Sequence, residues 1–381
     1  MTDDRYVSRR RLPDLPLWNT LKDKRAAMSF DLELTARCNL DCRHCYINLP
    51  AGDRRARSRE LTVPEIGRIA GEAAALGAVW CLATGGEPLL RRDFFDAYLA
   101  LRKHGLLVSL YTNATLVDEE HIRFFKRHPP RDIEVTVYGV TRETYERVTR
   151  VPGSFEAFMK GLALLLESGV SVRLKAMALR SNMGELARIA EFCRARTKDY
   201  FRFDPFLHYR FDRDPERNAD IEAERLTPAE IVALEQGDPE RFEAMEKHRG
   251  EFVMPAASDD GCQHIFRCGA GKRNFVVGHD GRFKICLSLL HPDFLFDLRK
   301  GSLEEAWRGF VPRVLARKSD RGDYLSRCAR CPIINLCLWC PANAHLESGK
   351  LDAPVEYFCR VAHARAEALS GIDKRYRSAL E

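Results

Sequence analysis

Residues 29–45 read SFDLELTARCNLDCRHC, a short run of β-forming residues that ends in three cysteines at positions 38, 42 and 45. The spacing is C-x3-C-x2-C, and no fourth cysteine stands beside it. A structural zinc site takes four ligands and usually draws them as C-x2-C pairs with a second pair downstream. Four-iron clusters are also held by thiolates, normally four, so three would leave one iron with an open coordination position. A distant fourth protein ligand would instead close a zinc site. Spacing alone leaves both readings open.

The cysteines follow the first unit of a repeating pattern. From about residue 28 to 205, SFDLEL, AVWCLAT, LLVSLYT, IEVTVY, VSVRLKAMAL and YFRFD form six candidate strands, and helical stretches separate them. Thr62 and Glu65 make a capping box at the head of TVPEIGRIAGEAAALG, and Ser154 and Gly169 bracket SFEAFMKGLALLLESG. Regular β-α alternation predicts a parallel sheet with binding groups where strands feed into helices. Six units fit a partial barrel or an open doubly wound sheet. The polar motifs gather at one sheet edge: the three cysteines after strand 1, TGGEP (84–88) after strand 2 and TNAT (112–115) ending strand 3, with Thr136 inside strand 4.

Composition narrows the chemistry. The chain has 381 residues and 13 cysteines, enough length for two or three domains with real cores. A charged N-terminus with no apolar run behind it, and no long apolar stretch elsewhere, predicts neither signal peptide nor membrane span, and hence a cytosolic protein. Thiols there stay reduced, so the clustered cysteines point to metal rather than disulfides. Cys81 and Cys193 fall outside the clusters, in apolar or helical surroundings, and read as small buried hydrophobes. A net charge of +6 is mild, and DRRARSRE (53–60) reads as a solvated loop rather than a nucleic-acid surface.

Cys38, Cys42 and Cys45 after one strand, with GGEP after the next, resemble the radical S-adenosylmethionine (radical SAM) family over strands 1 to 6. The resemblance implies a partial (β/α)6 barrel and a 4Fe-4S cluster whose free iron takes the amino and carboxylate groups of S-adenosylmethionine. Reductive cleavage then gives methionine and a 5'-deoxyadenosyl radical that removes a hydrogen atom from substrate. It also implies that Gly85, Gly86 and Glu87 approach the methionyl amino group, that Asn113 lies nearby, and that Thr136 with Arg150 holds the carboxylate, Arg147 being a rival for the last role. His44 or Tyr46 would meet the adenine.

Eight further cysteines lie at 262, 268, 286, 328, 331, 337, 340 and 359. They suffice for two clusters, or for a pair of zinc ribbons. Their order, with Gly281 ahead of Cys286, resembles the SPASM domain, the small loop-rich extension of radical SAM enzymes that mature peptides and proteins. The resemblance implies two auxiliary 4Fe-4S clusters, one on Cys262, Cys268, Cys286 and Cys340, the other on Cys328, Cys331, Cys337 and Cys359. Only Leu338 and Trp339 separate Cys337 from Cys340 where the family has three residues, which makes Cys340 the least secure ligand.

Auxiliary clusters accept single electrons, so the expected activity is oxidative: crosslinking or dehydrogenation of a peptide residue. Sulfatase-maturing relatives place an aspartate base after the third auxiliary cysteine, where this chain has Leu287; Asp204 and His208 in FRFDPFLHYR are the expected bases instead. Residues 1–27 are too few for the winged-helix domain of some relatives, so a separate leader-binding protein is expected, with flavodoxin or ferredoxin as electron donor. The expected layout is an N-terminal extension (1–27), a radical SAM core (28–210), a helical bridge (211–261) and a SPASM domain with a C-terminal helix (262–381). Radical modification of a small metabolite, sulfatase-type protein maturation and a zinc-bearing interaction protein are the alternatives.

Overall fold

A computed structural model describes residues 26–198, 201–253 and 263–369; Cys262 and most of the expected N-terminal extension lie outside them. All six expected strands form: β1 (Ser29–Thr35), β2 (Trp80–Gly85), β3 (Leu107–Thr112), β4 (Ile133–Val137), β5 (Val172–Met177) and β6 (Arg202–Asp204). They pair in parallel and in chain order, β1 to β6. A doubly wound sheet reverses its order at a switch point; this one does not, and the open arc is a partial barrel.

Alternation along β1 explains its two faces. Phe30, Leu32 and Leu34 are buried in the hydrophobic core, and Asp31, Glu33 and Thr35 take the opposite side, as a period of two requires. Helices Val63–Ala75 and Pro228–Gln236 both open on the expected capping boxes, Thr62 with Glu65 and Thr227 with Glu230. Ser154 is the first residue of its helix, behind a left-handed Gly153. Residues 53–60, expected as a loop, contain the helix Arg54–Arg59, because the Asp53 carboxylate caps Ala56 N at 2.8 Å.

The loop-rich C-terminal part is continuous with the barrel. Strand β7 (Asn274–Val277) pairs in parallel with β1 on the edge that β2 leaves free, and β8 (Arg282–Lys284) and β9 (Phe296–Asp297) extend the same sheet. Phe275 stacks on Phe30 at 5.2 Å, so one apolar core serves both halves. The stretch from 211 to 253 is largely helical (Pro215–Glu224, Pro228–Gln236, Pro239–Lys247). Its buried Glu235 accepts Arg365 Nε at 2.9 Å from the C-terminal helix Glu356–Ala368. No helix among the described residues is long and apolar enough to cross a membrane.

Candidate active site and cysteine clusters

A cavity of about 430 Å³ opens at the C-terminal ends of the barrel strands, and Cys38, Cys42 and Cys45 line it together. The sulfurs receive donors from the loop around them. Leu40 N reaches Cys38 Sγ and Asn48 N reaches Cys45 Sγ, both at 3.4 Å, and Asn113 Nδ2 stands 3.8 Å from Cys38 Sγ. Burial, with the nearby Glu87 charge, pushes the Cys38 thiol up to about 12. Burial raises Cys42 and Cys45 too, and Cys42 is raised further by the charges of the other two. Three crowded thiols that resist ionisation are what a cationic centre reverses. N–H groups aimed at sulfur are the contacts that tune iron–sulfur centres, so the loop fits such a cluster. No three His, Cys, Asp or Glu side chains among the described residues converge as ligands of a single ion would.

The GGEP turn braces this loop. A Cβ on Gly85 would sit 2.2 Å from Thr35 O, and one on Gly86 would sit 2.2 Å from Arg37 O. The close approach that requires glycine is therefore to the backbone entering the cysteine loop, while both glycines also line the cavity. Gly85 adds a φ of +137°. Glu87, expected at a cofactor amine, is fully buried and turned back into the fold. Its carboxylate accepts Leu89 N at 3.0 Å, Thr112 Oγ1 at 2.8 Å and Asn113 N at 2.8 Å. Burial raises it to about 7 against those three donors. Its geometry makes it the clasp that positions Asn113.

Thr136, Asn113, His44 and Tyr46 all line the cavity. Burial lowers His44 to about 4, so its ring is neutral. Tyr46 packs on Phe211 at 4.7 Å. Arg150, expected at the cofactor carboxylate, is absent from the lining. It ends its helix in a left-handed conformation, with its guanidinium 2.5 Å from Asp220 and 3.8 Å from Asp41. Those carboxylates outcompete the cavity for it. Arg147 is also engaged, with Thr144 Oγ1 and Ser181 O at 3.0 Å each.

The C-terminal cysteines fall into two neighbourhoods. Burial raises Cys286, and the charge of Cys268 raises it further; Cys340 is pushed up to about 12 by burial, with Cys286 and Cys268 adding to it. Cys337, also near 12, is raised by burial and by Cys359, Cys331 and Cys328. The first neighbourhood thus holds Cys268, Cys286 and Cys340, the second Cys328, Cys331, Cys337 and Cys359. Backbone N–H groups reach sulfur here as well, Trp339 N to Cys337 at 3.3 Å and Asn343 N to Cys340 at 3.4 Å. Cys81 and Cys193 are buried apart from both.

Residues 32–193 match the radical SAM superfamily. Over that stretch the chain carries a radical SAM domain. Radical SAM relatives include an AdoMet-dependent heme synthase of Methanosarcina barkeri, 24% identical over 83% of this chain and 92% of the relative. A "Probable GTP 3',8-cyclase" of Methanococcus maripaludis is 26% identical over 72% and 89%. Streptococcus suis SuiB bound to precursor peptide SuiA shares the fold at a TM-score of 0.65 and 14% identity, covering 92% of this chain and 82% of that one. Native anSMEcpe with bound AdoMet shares it at a TM-score of 0.63 and 15% identity, over 93% and 99%.

The rest of the radical SAM cavity is polar on the barrel side. Asp204 and His208 both line it. Asp204 Oδ1 also accepts Phe206 N at 3.0 Å, and His208 Nδ1 faces Asn343 Oδ1 at 2.8 Å. Sequence reasoning missed Asp31, Tyr111, Glu134 and Lys175, which line the same wall. Lys175 Nζ lies 2.5 Å from Glu134, which Arg202 also grips at 2.6 and 2.7 Å. Burial raises Asp31 to about 6, with Glu33 adding and Lys284 opposing. Their signal was available, since each occupies an inward position of a strand that alternates. Leu287 and Ser288, directly after Cys286, close the cavity from the C-terminal side.

Proposed function

We propose that this chain is a radical SAM oxidoreductase with two auxiliary 4Fe-4S clusters that oxidises a peptide residue, by dehydrogenation or crosslinking. One observation carries the reading: a single cavity is lined by Cys38, Cys42 and Cys45 and also by Leu287, the neighbour of Cys286. When bound, the opening cluster and S-adenosylmethionine supply the carbon radical that removes a hydrogen atom, and the auxiliary centres supply an acceptor for the remaining electron.

The chain's own residues hold and aim. Cys38, Cys42 and Cys45 would ligate the first cluster. Cys262, Cys268, Cys286 and Cys340 would hold one auxiliary cluster, and Cys328, Cys331, Cys337 and Cys359 the other. Asn113, Thr136, His44 and Tyr46 would seat the cofactor. Asp204, His208 or Asp31 would take the proton lost on oxidation. A hydrophobic Leu287 argues against sulfatase-type maturation. Support for a peptide comes from the fold shared with SuiB, solved with a precursor peptide. A separate leader-binding protein, a cytosolic setting and a flavodoxin or ferredoxin donor belong to this proposal.

A second reading, a tetrapyrrole-sized metabolite as substrate, is favoured by the heme synthase relative, which aligns over most of both chains. Anaerobic purification followed by iron and sulfide analysis, with about twelve irons expected per chain, tests the clusters. Release of 5'-deoxyadenosine under dithionite tests the radical chemistry. Incubation with candidate precursor peptides and, separately, with iron porphyrins then separates the substrates by mass change. Zinc in place of iron would return the chain to an interaction role.

A further inference from the structure

The positive charge of the chain is concentrated. Residues 263–369 hold 17 Lys and Arg against 11 Asp and Glu, a surplus equal to the +6 of the whole chain. Two contacts bring part of it together. His264 and Lys318 form an antiparallel bridge, with Ile265 N donating to Arg317 O at 3.2 Å and Ser319 N to Gln263 O at 2.9 Å. Further along, a Cβ on Gly271 would stand 3.0 Å from Val311 Cγ1. The two ends of segment 264–272 therefore meet the two ends of 311–318, and Cys268 lies between those contacts in sequence.

Arg313, Arg317 and Lys318 are exposed on one segment and Lys272 on the other, and none meets a carboxylate among the described residues. The acids of residues 311–330 are Asp320 and Asp323, and Arg321 holds Asp323. Cys268 is the one exposed cysteine among the described residues, while Cys42 is buried and Cys38 and Cys45 are half-buried. Leu338, 37% exposed, stands two residues before Cys340, the neighbour of Cys268. A redox ligand at the surface, a rim of cations that meet no carboxylate and a protruding apolar side chain are the parts of a transient electron-transfer contact.

We propose that this basic face, centred on Cys268 and rimmed by Lys272, Arg313, Arg317 and Lys318, docks a small acidic one-electron carrier protein. Electrons then enter through the auxiliary centre rather than through the loop of Cys38, Cys42 and Cys45. Each encounter moves one electron: the reduced carrier loses it, the protein gains it, and no further reactant is needed. The proposal rests on the reading of Cys268 as a cluster ligand. Opposite charges raise the encounter rate and make it sensitive to salt.

The test uses the reconstituted full chain and an acidic bacterial flavodoxin. Binding is measured by fluorescence anisotropy from low to high salt, and 5'-deoxyadenosine release is driven either by reduced flavodoxin or by dithionite. The double variant Arg317→Glu/Lys318→Glu is expected to weaken binding and flavodoxin-driven release by about ten-fold or more at low salt. It should leave dithionite-driven release unchanged. Lys160→Glu, exposed on a barrel helix, is expected to change neither. Equal binding by the double variant and the wild type, or equal losses in Lys160→Glu, would overturn the proposal. Failure of the wild type to release 5'-deoxyadenosine under dithionite would instead overturn the radical reading, and the binding measurement would still judge the surface.

Discussion

His208 Nδ1 lies 2.8 Å from Asn343 Oδ1, joining the end of the barrel to the helix Pro341–Ser348 that follows Cys340. Asn343 also sends its backbone N–H to Cys340 Sγ at 3.4 Å. One residue thus touches a cavity histidine and an expected cluster ligand. Asn343→Ala leaves the half-buried ring without its partner and is expected to lower stability by about 1 kcal/mol, read by thermal or urea unfolding. Burial holds His208 below its usual value, with Asp204 opposing. The unfolded chain therefore takes up a proton that the native ring refuses, and stability falls as pH drops below about 6.5. His208→Gln should flatten that part of the profile; an unchanged slope would remove the ring from it.

The glycine turn is the least forgiving part of the site. Alanine at Gly85 or Gly86 would place a Cβ 2.2 Å from backbone oxygen. Either substitution is expected to destabilise by about 4 kcal/mol or more and to lower iron incorporation at the Cys38 loop. Gly52, whose Cβ would meet nothing within 4 Å, is the control. Circular dichroism melts and iron content after reconstitution decide the matter, and a normal melt for Gly86→Ala would contradict the close approach.

Cysteine removal should act in two separate sets. Cys340→Ala is expected to cost about four of roughly twelve irons, and so is Cys331→Ala, each leaving a different spectroscopic signature. Cys193→Ala, buried in the helix Leu186–Arg194, should cost none. Full iron content in Cys340→Ala would remove that residue from the ligand set.

Asp31 supplies the opposite pH sign. Its native form keeps a proton up to about pH 6, whereas the unfolded chain releases it near 3.8. Stability is therefore lost as pH rises through that window. Asp31→Asn should stabilise the protein by about 1–2 kcal/mol at pH 7, and the gain should vanish near pH 4. Melts of both proteins at the two pH values test it.

Much of this was legible in the chain because local patterns report local structure. The six strands and the two capping boxes follow from periodicity and short-range hydrogen bonding, and the three thiols declare themselves by spacing. Which way Glu87 and Arg150 turn is not legible locally. Their partners, Asn113 and Asp220, are decided by which elements meet, and nothing local distinguishes a residue facing a ligand from one facing another element. Asp31, Glu134 and Lys175 carry a signal in the alternation of their strands, but in a barrel the inward side of a strand can be polar, so that signal is easily taken for a surface residue.

The sequence by itself determined the order of elements, the opening trio of sulfurs and the membership of each strand, since all of these depend on neighbours a few residues away. Only the tertiary structure decided that β7 docks on β1 and carries Leu287 to the cavity lined by Cys38, Cys42 and Cys45. Such contacts are set by burial of one shared apolar core, a property of the whole fold that no window of sequence contains.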